Sequence, residues 1–180
     1  MTVMVALLRG VNVGGRSSLA MADLRAIAEG CGHDDVRTYI QSGNVVFATT
    51  KRSPDAVARE LEAAIAEATS VHPDVVVRTR AQLAKVVDAN PFLQRGEDEK
   101  HLHVVFMAPG GAEPKLPDLD PFLPEELAVV GTERYLFLPG GMGRSKLAAA
   151  LSRQKGAVGT ARNWRTVTKL LEMADDLATN

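Results

Sequence analysis

Six consecutive apolar residues, Val3–Leu8, run without a polar interruption into a loop that carries Gly10, Gly14 and Gly15 between Arg9 and Arg16. A run of that kind suits a central strand covered on both faces, because a strand with one wet face alternates apolar and polar residues. The glycines permit backbone conformations closed to other residues, so successive amides of the loop can converge on an anion flanked by Arg9 and Arg16. They equally suit a tight strand-to-helix connection with no ligand. The spacing GVNVGGRS has the outline of a phosphate loop with Arg16 in the lysine position. Arginine does not replace the compact ammonium of lysine there, and no later apolar strand ends in an aspartate placed to hold magnesium.

Beyond the loop, Leu24, Ile27 and Ala28 fall at helical spacing within Met21–Glu29, and Gly30 and Gly32 supply a stop. Val36–Gln41 and Val45–Phe47 read as strands joined by the hairpin signal Ser42-Gly43-Asn44. Ser53 and Pro54 open a second helix in cap-then-proline order, with Val57, Leu61, Ala64, Ile65 and Ala68 on its buried face. Asp74–Thr79 is rich in β-branched residues. The first half is therefore expected in the order β-α-β-β-α-β, the split ferredoxin-like arrangement. Its first two strands then run parallel, which brings the turn around Gln41, Ser42 and Asn44 to the same end as the loop of Arg9, Asn12 and Arg16. Turn chemistry alone also explains Ser-Gly-Asn.

The second half begins with a helix over Arg80–Ala89 that ends at Asn90-Pro91, followed by a strand over Leu102–Ala108. A proline-rich connection holds at most a short helix around Pro121–Glu126, and Leu127–Val130 with Arg134–Leu138 forms a hairpin. Helices are expected over Ser145–Arg153 and, capped by Thr160 or Asn163, over Trp164–Leu177. This echoes the first half without its last strand. The reading is an α+β fold of two ferredoxin-like (split β-α-β) subdomains, residues 1–79 and 80–180, packed into one compact body.

Two further motifs carry polar groups to expected helix starts, where free amides favour anions: Arg144, Ser145 and Lys146, and then Arg162, Asn163 and Trp164. Capping and core packing explain Ser145, Asn163 and Trp164 without a ligand. Arg162 has no carboxylate near it in sequence until Glu172, so it calls for solvent or a partner from elsewhere. His33, His72, His101 and His103 show no zinc-ligand spacing, no metal or cofactor is expected, and Ser42 lacks the context of a nucleophile elbow. The acidic runs Glu97–Glu99 and Glu125–Glu126 read as solvated surface. A formal charge of -1 argues against non-specific coating of nucleic acid. A single cysteine, Cys31, excludes an internal disulfide, and no run reaches membrane-spanning length, so a soluble cytoplasmic protein is expected.

In combination and order, the strings RGVNVGG, YIQSGNVVF, VVVRT, NPF, HVVF, GRSKL and TARNWRTV resemble the bacterial family known as domain of unknown function 1697. The resemblance covers nearly the whole chain and implies an α+β fold with two ferredoxin-like subdomains. It implies no activity. It carries over Arg9, Gly10, Asn12, Gly14, Gly15, Gln41, Ser42, Gly43, Asn44, Arg144, Ser145, Lys146, Arg162, Asn163 and Trp164 as motif positions. The leading expectation is a binding module for a phosphate-bearing small molecule, nucleotide or nucleic acid, held by loop amides with Arg9, Arg16, Arg144, Lys146 and Arg162. The alternatives are phosphoryl or nucleotidyl transfer by positioning alone, and a structural or protein-interaction domain in which these motifs only cap helices and fasten the fold.

Overall fold

The computed structural model describes the chain except Arg16, residues 111–115, Lys155, Ala157 and Asn180. The fold is α+β, with two four-stranded antiparallel sheets and associated helices. The chain divides into an N-terminal unit, Met1–Lys85 with the stretch from Lys169 onward, and a second unit, Val86–Thr168.

In the N-terminal unit, β1 (Thr2–Leu8), β2 (Asp34–Tyr39), β3 (Asn44–Thr49) and β4 (Val75–Thr79) form a sheet of order β2-β3-β1-β4. The uninterrupted apolar run of β1 is explained by its central place between β3 and β4, which leaves neither edge nor face to water. Met4, Ala6 and Leu8 join Phe47 and Val77 in one core with Leu24 of α1 (Met21–Gly30) and Leu61 and Ile65 of α2 (Pro54–Ala68). Val5 and Leu7, on the opposite face of the strand, are also fully enclosed. The helix α2 starts as its sequence dictates, with Ser53 Oγ accepting from Ala56 N at 3.2 Å and Pro54 in the first turn. Both hairpin strands differ from expectation at their ends, β2 beginning at Asp34 and β3 running on to Thr49. Ile40, at φ 49, leaves the strand two residues before the turn was expected to begin.

The helix α3 (Arg80–Asp88), which leads out of β4, runs from the N-terminal unit into the second and ends close to Asn90, whose side chain caps a one-turn helix, α4 (Pro91–Gln94), at Phe92 N and Leu93 N. The strands β5 (Leu102–Met107), β6 (Glu126–Val130), β7 (Glu133–Phe137) and β8 (Gly159–Asn163) pair in the order β6-β7-β5-β8. Leu136, Leu138 and Leu147 of α5 (Lys146–Ser152) form a small core against one sheet face. On the other face Tyr135 is enclosed and donates to Val86 O at 2.9 Å, and burial with the nearby Glu133 pushes its phenol up to about 12. The short helix expected around Pro121–Glu126 is instead a 3-10 turn over Asp120–Phe122, and Glu126 already belongs to β6.

The strand β8 corrects the expectation that the second half lacks a final strand. Its sequence, GTARN, alternates buried Thr160 and Arg162 with exposed Ala161 and Asn163, so the period of two is present without the apolar residues that normally reveal it. Gly159 has no room for a side chain, since an added Cβ would lie 2.7 Å from Met107 Sδ and 2.9 Å from Val105 Cγ1. The chain then passes directly from β8 into α6 (Trp164–Thr179).

Candidate functional site

The loop after β1 and the turn after β2 meet, as the parallel direction of those two strands requires. Leu8 N donates to Gly43 O at 2.8 Å, and Asn12 Nδ2 donates to Gln41 O at 2.7 Å and to Leu19 O at 2.9 Å. Asn12 Oδ1 accepts from Leu19 N at 2.8 Å, so the whole side chain stitches its own loop to the neighbouring turn. Asn44 is enclosed and donates to Tyr39 O and Ser42 Oγ, which shapes the turn from inside. Gly10, Gly14 and Gly15 all have positive φ, lie exposed, and have open space where a side chain would be. Arg9 is partly exposed and lies 3.5 Å from Asp74. Arg16, expected to be the loop's second cation, lies outside the described residues. Among the described residues the loop does not lead straight into a helix as a phosphate loop does. The loop closes on itself through Asn12 N to Ser17 O (2.8 Å) and Ser17 Oγ to Gly10 O (2.5 Å). The helix begins only at Met21, so its first amides are not offered by the glycines.

At the Arg144–Lys146 motif, which lies at the start of α5 as expected, groups of the chain itself hold the helix start. Ser145 caps α5 by accepting from Ala148 N at 2.8 Å, and its hydroxyl donates to Glu125 Oε2 at 3.0 Å. The same carboxylate oxygen accepts from Leu147 N at 2.9 Å. The anion at this helix start is thus the chain's own Glu125, while Arg144 and Lys146 are exposed. Glu126, read with it as solvated surface, forms a bidentate pair with Arg95 at 2.9 and 2.8 Å, and the Arg95 guanidinium also lies over the rings of Phe92 and Phe137.

Arg162 is not at a helix start. It sits in mid-strand on β8 opposite Val104, buried, with Nη1 donating to Thr160 Oγ1 at 2.7 Å and to Ala161 O at 2.9 Å. Burial lowers its pKa to about 10, which leaves it charged at neutral pH. Asn163 ends β8 and caps α6, accepting from Thr166 N at 2.8 Å. Trp164 is enclosed at the first position of that helix. Beside this start lies a hollow of about 340 Å³ lined by Glu99, Lys100, Asn163, Trp164 and Arg165. It joins two of the residues singled out in the sequence to three that were not. Lys100 and Arg165 place two cations on its wall, one from the 3-10 turn Glu99–His101 that precedes β5 and one from the first turn of α6. Glu99 lies in an acidic run read as solvated surface, and Lys100 follows it in a polar connection with no motif of its own. Arg165 directly follows Trp164 in the string TARNWRTV, and that adjacency was its only signal.

Among the described residues no group of three or more His, Cys, Asp or Glu side chains is placed to hold a metal ion, and no helix is long and apolar enough to cross a membrane.

These features define an α+β protein with two four-stranded antiparallel sheets and polar motifs at strand and helix ends. The chain belongs to the family described as protein of unknown function (DUF1697), whose model matches residues 1–135. It is similar in structure to a solved conserved bacterial protein, SP0830 from Streptococcus pneumoniae, with 21% sequence identity and a TM-score of 0.74 over 96% of this chain and 98% of that one. No curated protein matches it.

Proposed function

We propose that this protein is a binding module for a small anionic ligand, and that the ligand occupies the hollow beside the start of α6. The observation that carries this reading is the joint presence of Lys100, Arg165 and the first turn of a 16-residue helix around one space of about 340 Å³. That volume is at the small end of ligand sites. The aligned peptide dipoles give the start of such a helix a partial positive charge, and the cap from Asn163 satisfies only one of its unpaired amides. Glu99 on the same wall selects for a ligand that presents a hydroxyl or ammonium donor next to its anionic group.

The strand orders β2-β3-β1-β4 and β6-β7-β5-β8 support reading both units as ferredoxin-like split β-α-β subdomains, with the boundary near residues 79 and 80. The lone Cys31 supports a cytoplasmic location. A second reading, a structural or protein-interaction domain, is favoured by one specific observation: Asn12, Asn44, Ser145 and Asn163 all hydrogen-bond within the chain.

Titration of isotope-labelled protein with inorganic phosphate against chloride at matched ionic strength separates the two. Binding in the hollow predicts saturable shifts of the Lys100 and Asn163–Thr166 amides. Arg165→Gln or Lys100→Gln should weaken the effect by about tenfold or more, the worth of a hydrogen bond to a charged group. Shifts confined to Gly10–Ser17 would move the site to the N-terminal loop, and no saturable shift anywhere would favour the structural reading.

A further inference from the structure

Three segments of the N-terminal unit converge on His33, which follows α1. Its imidazole is fully enclosed and stacked on Phe47 of β3, with ring centroids 4.4 Å apart and an interplanar angle of 19°. Nδ1 lies 3.2 Å from Thr49 Oγ1, and Nε2 lies 3.7 Å from Glu60 Oε2 of α2. Among the described residues neither His33 Nε2 nor Glu60 Oε2 has a hydrogen-bond partner, although both atoms are buried. The other oxygen of Glu60 is held by Lys51, whose ammonium also donates to Cys31 O at 3.1 Å. One carboxylate therefore faces both the Lys51 side chain and a ring that can become a cation.

The charged and titratable groups facing the ring are Lys51 from the loop after β3, Glu60 from α2, and Asp34 at the start of β2. Cys31 completes the cluster, and burial together with Glu60 pushes its thiol up, so it stays protonated. A neutral imidazole carries one N–H, and Thr49 Oγ1, which also accepts from Lys51 N at 3.2 Å, can serve Nδ1 as donor or acceptor. A second proton creates a cation in an enclosed site, opposed by Lys51 and favoured by Glu60.

We infer that His33, Glu60 and Lys51 form a proton-operated joint: protonation of His33 draws Glu60 away from Lys51 toward Nε2 and loosens the corner between α1, β2 and α2. Burial first, and then Lys51, hold the imidazole below the ordinary value of 6.5, against the smaller opposing pulls of Glu60 and Asp34. The folded state thus binds fewer protons than the unfolded state in the window below 6.5. The stability of this corner is complete above that pH and declines as pH falls through the window, where the opening constant rises by up to tenfold per pH unit for one proton.

The test is an NMR titration of His33 in the full chain, with amide exchange followed over the same pH range, in the wild type, Lys51→Met and Glu60→Gln. Removing the opposing cation should raise the His33 midpoint, and removing the attracting carboxylate should lower it. Protection of the Cys31–Val36 amides should fall on acidification while that of Met4–Leu7 in β1 is kept. A wild-type midpoint at or above 6.5, variant shifts in the same direction or absent, or a uniform loss of protection would overturn the proposal. If one variant does not fold, the sign of the other against the wild type decides.

Discussion

At the scale of single residues, glycines of the two N-terminal family strings serve different purposes. Gly43 has φ 76, and a Cβ added there would lie 2.6 Å from Val11 Cγ2 and 2.8 Å from Leu8 Cβ, both attached to buried residues. Gly14 has φ 65 and open space around the same position. Gly43→Ala therefore adds an overpacking cost of about 1–3 kcal/mol to the roughly 1–2 kcal/mol of left-handed strain that Gly14→Ala incurs alone. Urea unfolding of the two variants should show the larger loss at Gly43, and equal losses would mean that the Leu8–Val11 wall gives way freely. The sequence showed that these glycines sit in turns, because glycine is the usual answer to a positive φ. It did not distinguish close approach from open loop, since that depends on which side chains another strand brings near. Asn12 illustrates the same limit. Its place in a polar cluster was legible, but its φ of 56 and its bonds to Leu19 and Gln41 make it a stitch between two turns.

At the scale of elements, strands and helices with apolar periodicity were legible and those defined by polar contacts were not. β1, α2 and β4 announce themselves through runs or spacings of Val, Leu and Ile. β8 depends on Thr160 and Arg162, whose strand partners lie across a sheet, while the start of α5 was legible at Ser145 but its partner Glu125, which comes from a distant loop, was not. The start of α5 yields a graded expectation. Ser145→Ala removes the cap and one partner of Glu125, and should cost about 1–2 kcal/mol. Glu125→Gln keeps an oxygen that can accept from Leu147 N and Ser145 Oγ, and should cost less. Denaturant midpoints should shift in that order with an unchanged slope. A reversal would mean that the charge of Glu125, not its geometry, holds the start of α5.

At the scale of the whole molecule, the division between the two units falls inside α6, after Thr168. Trp164 and Val167 are enclosed on one side of that point, and Leu170 and Ala174 on the other. A helix propagates cooperatively and most of its stability comes from the packing of its apolar face, so losing the burial of one half weakens the hydrogen-bonded turns of the other. Trp164 is the chain's single tryptophan, and its emission reports the Val86–Thr168 unit. The far-UV dichroism of the same solution reports the helices and sheets of both. The continuity of α6 predicts that the two signals follow one urea transition with a common midpoint. Truncation after Thr168 should break that agreement, because burial of Leu170 and Leu177, each worth up to about 1.5–3 kcal/mol, is removed from the N-terminal unit while Trp164 keeps its place in the second. The dichroism midpoint should then fall below that of the tryptophan signal. Separate transitions in the intact chain would instead mean that α6 unwinds at Thr168 at little cost, and that each unit folds by its own core alone.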